Sequence, residues 1–221
     1  ERREIPGGEG QGHREEIQRD IIMIVYKSDT DTFVERDRDN TITDIMQQTF
    51  EGFFGRRPGT SEVGSWQNSV SRVRDLIELA GLKDNMIALE YEVPYNQNRI
   101  DCLIFGAGDD SAHNVVLIEL KQWSRVTPLE DEGNFVETYT GGSERVVPHP
   151  SQQVKGYHHY LKGFVSAFEE PKPLILFSCA YCHNYERQDN DGIFAPFYRE
   201  IISEFPVYAK SDVRSLAEKI R

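Results

Sequence analysis

Seven consecutive residues, Val115-Val116-Leu117-Ile118-Glu119-Leu120-Lys121, form an almost wholly apolar strand that ends in two opposite charges. So apolar a run belongs inside a sheet. Side chains at i and i+2 share one face of a strand about 6–7 Å apart, so Glu119 and Lys121 point one way and Leu120 the other. The preceding run, Arg99-Ile100-Asp101-Cys102-Leu103-Ile104-Phe105, carries Asp101 as a lone carboxylate among apolar residues. A hairpin between the two runs brings Asp101 beside Glu119. Two carboxylates and a backbone carbonyl, that of Leu120, suit a hard cation such as Mg²⁺ or Mn²⁺, which takes oxygen ligands and keeps waters for exchange. Such a metal would lower the pKa of a bound water and stabilise charge on phosphoryl oxygens, with Lys121 orienting that water or the phosphate.

The rest of the chain supplies a frame for these strands. Residues 1–22 mix charge with Gly and show no apolar period, which predicts a disordered leader or a cloning remnant ahead of a fold spanning 23–221. Met23 to Tyr26 reads as a short strand. Apolar residues at helical spacing predict one helix over Thr41 to Phe54, opened by a Thr41/Asp44 capping box and stopped by Gly55, and another over Glu62 to Ala80, with Trp66, Val70, Val73 and Ile77 inward. Strands over Ile87 to Val93, Arg99 to Phe105 and Asn114 to Lys121, joined by short turn-rich segments, predict an antiparallel meander. Thr127 to Pro148 reads as a long loop or irregular hairpin able to contact substrate. A helix over Ser151 to Phe168 buries Val154, Tyr157, Leu161, Phe164 and Phe168. Leu174 to Cys182 reads as an interior strand, and two short helices near Phe197 to Ser203 and Asp212 to Ile220 follow. The class is α/β, a central mixed sheet flanked by helices.

Asp101 followed by Glu119-Leu120-Lys121 resembles the signature of the PD-(D/E)XK nuclease superfamily, an acid on one strand and (D/E)-x-K on the next, although the name-giving proline before the aspartate is absent here. Gln153-Val154-Lys155-Gly156-Tyr157 is similar to the Q-x-x-x-Y motif of its RecB-like branch, and residues four apart on a helix share a side. Ser61-Glu62-Val63-Gly64-Ser65-Trp66, Val93-Pro94-Tyr95, Ile118 to Trp123 and His183-Asn184-Tyr185 resemble the nuclease-like module that precedes the helicase in bacterial Schlafen-type helicase proteins. The resemblance implies a restriction-endonuclease-like core and Mg²⁺- or Mn²⁺-dependent hydrolysis of nucleic acid, DNA ahead of RNA. It also implies Gln153 and Tyr157 holding the lysine and the phosphate, Glu62 as a further acid, and a helicase domain in cis or trans as partner. A catalytically silent nucleic-acid-binding or scaffold module is the alternative.

The net charge of −12 works against a nucleic-acid enzyme unless a local patch is basic or neutral. Arg99, Lys121, Arg125, Arg145 and Lys155 are the residues expected to form one and contact phosphate. Glu90, Glu92 and the acids between Thr127 and Pro148 read as solvent-facing or structural. Cys179-Ala180-Tyr181-Cys182-His183 matches a haem-attachment pattern, but cysteines three apart in a strand point to opposite faces. Zinc and iron–sulfur sites need four ligands where three are at hand. Cys102, Cys179 and Cys182 are expected as reduced core thiols. His149, His158 and His159 read as phosphate contacts or surface residues. Without a membrane span or secretory signal in the sequence, the expected location is cytoplasmic.

Overall fold

The computed structural model describes residues 23–93, 98–108, 112–130, 133–169 and 172–221. The segment assigned to a leader, the Pro94-Tyr95 pair, the turn residues 109–111 and the acids Asp131 and Glu132 lie outside the described residues. Strand β1 (Ile24–Asp29) runs into helix α1 (Thr30–Arg38), whose Asp29 cap accepts from the Thr32 amide. Helices α2 (Ile42–Phe54) and α3 (Thr60–Ala80) come next. The expected Thr41/Asp44 box does not form, because the Thr41 hydroxyl donates instead to the Arg36 carbonyl. Helix α3 starts two residues earlier than expected and ends at Gly81, whose φ of +67° is cheap only for glycine.

Strands β2 (Met86–Glu92), β3 (Arg99–Ala107) and β4 (His113–Lys121) form the expected meander with β1. Strands β5 (Thr127–Pro128), β6 (Phe135–Thr140) and β7 (Ser143–Pro148) then build a separate three-stranded antiparallel sheet where a loop or irregular hairpin was expected. Gly141 and Gly142 turn its hairpin, both at positive φ as a tight two-residue turn requires. Helix α4 (Pro150–Phe164) leads to β8 (Ile175–Cys182), helix α5 (Arg199–Glu204), β9 (Val207–Ala209) and helix α6 (Val213–Ile220). The main sheet has the order β1-β2-β3-β4-β8-β9, antiparallel through β4 and parallel beyond it. Strand β9 and helix α1 were not foreseen.

Alternation along the strands divides the core in two. Ile104, Ile118 and Cys179 pack with α1, α2, α3 and α6 through Phe33, Phe50, Trp66, Val73 and Leu216. Leu103, Leu117 and Cys182 pack on the opposite face with Val154, Tyr157 and Leu161 of α4. Cys179 and Cys182 therefore lie on opposite faces, and all three thiols are free and buried. Phe164 departs from the expected buried stripe of α4, at 73% exposure. Among the described residues, no helix is long and apolar enough to cross a membrane.

Candidate active site

The register fixes the acids. Cys102 pairs with Ile118, and one residue further along the two strands stand Asp101 and Glu119, whose carboxylates accept from the Leu120 amide and from Lys121 at the end of β4. Strand β4 is where antiparallel pairing gives way to parallel, and its carboxyl end carries Glu119 and Lys121. Ends of parallel strands at such switch points are where open α/β sheets present ligand sites.

The Lys121 ammonium donates to Glu119 Oε1 at 2.7 Å and to Gln153 Oε1 at 2.8 Å. Gln153 in turn donates to the Tyr157 hydroxyl at 3.3 Å, which closes the chain from β4 to α4. The Leu120 amide donates to Asp101 Oδ2 at 2.7 Å, while the Lys121 carbonyl accepts from His183 on the far side of the strand. The two groups of one strand residue face the same neighbour, so the Leu120 carbonyl is on the Asp101 side. Glu119 is 2% exposed, and its Oε2 is buried with no hydrogen-bond partner among the described residues. An unpaired buried carboxylate oxygen is costly and calls for a cation or donor.

Burial, followed by the charges of Glu119 and Glu90, holds the Asp101 carboxyl well above its usual range. Burial alone would lower Lys121, but Glu119 and Asp101 outweigh it and raise the ammonium. Burial and then the Glu119 charge push the Tyr157 hydroxyl upward. Two carboxylates at the centre, Asp101 and Glu119, face one ammonium.

Glu90, read from the sequence as solvent-facing or structural, also lines the site. It is largely buried rather than solvent-facing, and it lines a cavity of about 280 Å³ together with Asp101, Glu119, Lys121, Gln153, Ser65 and Trp66. Its φ of +54° in mid-strand is a left-handed value that a non-glycine residue adopts at a cost. Arg99 bonds Glu90 at 2.6 Å through Nε and also pairs with Glu62, and Glu90 further accepts from Trp66. The Gly59 amide donates to Glu62 Oε2 at 3.4 Å at the start of α3. Four carboxylates, Asp101, Glu119, Glu90 and Glu62, thus face two cations, Lys121 and Arg99. Gln122, next after Lys121, anchors the strand end to α3 by donating to the Ser65 carbonyl and hydroxyl at 3.0 Å.

Of the other expected substrate contacts, Arg99 lies beside Asp101 but is held between two acids, and Lys155 pairs with Glu204 at 3.5 Å. Arg145 bonds within its own hairpin through Ser143 and the Gly141 carbonyl, and Arg125 is exposed ahead of β5. His149 is a correction: it is fully buried, its Nδ1 caps α4 by accepting from the Ser151 amide, and its Nε2 bonds the Ile193 carbonyl. His158 bonds Ser178 at 2.9 Å, leaving His159 at the surface. Among the described residues, no group of three or more His, Cys, Asp and Glu side chains is arranged to hold a metal.

No family model, curated protein or solved structure matches the chain.

Proposed function

We propose that the chain is a divalent-metal-dependent phosphodiesterase of the PD-(D/E)XK type, acting on nucleic acid. The observation that carries this reading is the buried Asp101/Glu119 pair, with an unpartnered carboxylate oxygen, beside an ammonium held by Gln153. The order α3, β2, β3, β4, α4, β8, with the last two strands parallel, supports a restriction-endonuclease-like core around it.

The donor set fits a hard cation: the oxygens of Asp101 and Glu119 and the Leu120 carbonyl would hold Mg²⁺ or Mn²⁺, whose few protein ligands leave room for water. When bound, the metal would supply charge stabilisation on the phosphoryl oxygens and a more acidic water. The protein's own groups do the rest. Lys121, fixed by Gln153 and Glu119, donates to the attacking water or to a non-bridging phosphate oxygen, and Tyr157 keeps Gln153 in the orientation that holds the lysine. Glu90 and Glu62 keep Arg99 in place.

A second reading, a silent nucleic-acid-binding or scaffold module, draws on one observation: the two central acids lack a third metal-ligating side chain among the described residues. A titration with Mg²⁺ and Mn²⁺ over labelled single-stranded and duplex DNA and RNA separates the two readings. Metal-dependent cleavage supports the first, and binding without cleavage at any metal concentration supports the second. DNA is favoured only by the resemblance of the motifs, and a helicase domain in cis or trans is a proposed partner on the same ground.

A further inference from the structure

Gln153 belongs to two cavities. One is the acid-lined chamber; the other is a groove of about 790 Å³ between α4 and the small sheet, lined by Asn98, Asn134, Phe135, Gln152, Gly156 and Tyr160, with Tyr157 beside Gln153. No Lys, Arg, Asp or Glu is among the described residues that line the groove. Its walls are aromatic faces and neutral amides. Tyr160 stacks on Phe164 with ring centroids 4.9 Å apart and planes at 22°, and Phe164 is 73% exposed, so the aromatic surface continues from the groove to open solvent. Phe135 on β6 is also exposed at the groove wall. Nothing lies within 4 Å of where a Cβ on Gly156 would stand.

A duplex presents phosphates outward and is held by a basic surface, whereas the described lining of this groove offers aromatic faces and neutral amides. Unpaired bases present apolar faces and amide-like edges, and they bind by stacking on aromatics and by hydrogen bonds to such amides. We infer that the groove takes the unpaired bases of a single-stranded nucleic acid, with Phe135, Tyr160 and Phe164 as stacking platforms leading to Gln153 and Lys121. The inference rests on the phosphodiesterase reading only for what happens at the acids.

The test uses the full chain in Ca²⁺, a hard cation with longer oxygen distances than Mg²⁺. Fluorescence anisotropy is read with a labelled oligothymidylate of about 12 nucleotides and with a blunt dA·dT duplex of that length. The single strand should bind about tenfold tighter or more, and Phe164→Ala and Gly156→Leu should each weaken it by about tenfold while leaving duplex affinity alone and the thermal midpoint no lower. Phe164→Ala removes an exposed ring and Gly156→Leu fills the groove while raising helix propensity, so neither threatens the fold. Equal affinity for the two probes, or unchanged single-strand binding in both variants, overturns the inference. The parallel cleavage assay in Mg²⁺ separates the claims. Cleavage that persists without single-strand preference removes the groove and keeps the phosphodiesterase. Groove-dependent binding without cleavage does the reverse.

Discussion

Two clusters of two acids and one base stand side by side in this fold, and they are solved differently. In the cluster of Glu62, Arg99 and Glu90, the planar guanidinium reaches both carboxylates, and Trp66 and the Gly59 amide take up further acceptors. In the cluster of Asp101, Glu119 and Lys121, the ammonium reaches one carboxylate and turns its next donor to Gln153. Asp101 is left with a backbone amide, and Glu119 Oε2 with no partner among the described residues. The first cluster is electrostatically closed by protein alone. The second is pre-organised and keeps an unpaired carboxylate oxygen, which is what the proposed cation site requires.

The largest effect expected from this contrast is on catalysis. Lys121→Met removes the ammonium but keeps an apolar stem and both acids, so cleavage should fall by about 100-fold or more while Mn²⁺ binding persists or tightens, as calorimetry would show. A parallel loss of metal binding would mean that Lys121 organises the acids instead of acting on substrate.

Arg99→Met should produce the next largest effect, on stability. It leaves Glu62 and Glu90 facing each other, at a cost of about 3 kcal/mol read from urea unfolding. Added Mg²⁺ should recover more of that loss than it adds to the wild type. If the variant is as stable as the wild type, the closed cluster is not closed by Arg99.

The smallest effect is a pH slope. Burial and neighbouring acids raise the Asp101 carboxyl above its unfolded value, so between the two values the folded state holds a proton that the unfolded chain has lost. Apo-protein stability should therefore fall as pH rises through that window, and Asp101→Asn should flatten the fall. His149 works in the opposite sense. Its burial lowers it to about 4, so its contribution is lost as pH falls from about 6.5 toward that value. The difference between variant and wild type isolates Asp101, and identical pH profiles would place its carboxyl in ordinary solvent.

The open cluster was legible in the sequence because its spacings are local. Period two sets Glu119 and Lys121 on one face, and four residues set Gln153 and Tyr157 on one side of α4. The closed cluster was not, because it joins α3, β2 and β3. Glu90 alternates with Glu92 as an exposed strand face would, and its positive φ and Trp66 contact arise only in the assembled fold. His149 was misread for the same reason. Its burial comes from the Tyr198 ring 4.5 Å away and from the Ile193 carbonyl, both distant in sequence. Helix α1 is mostly charged, with only Thr30 and Phe33 buried, and the three residues of β9 exist as a strand through pairing with β8. Neither carries a periodic signal long enough to read.

Mn²⁺ binding and cleavage measured together on wild type and Asp101→Asn test the central claim most directly. The substitution keeps size and most hydrogen bonding but removes a ligand charge, so metal affinity should drop sharply and cleavage should be abolished while the thermal midpoint of the apo-protein holds or rises. Wild-type cleavage by Asp101→Asn, with unchanged metal dependence, would show that Asp101, Glu119 and Lys121 are not the active site.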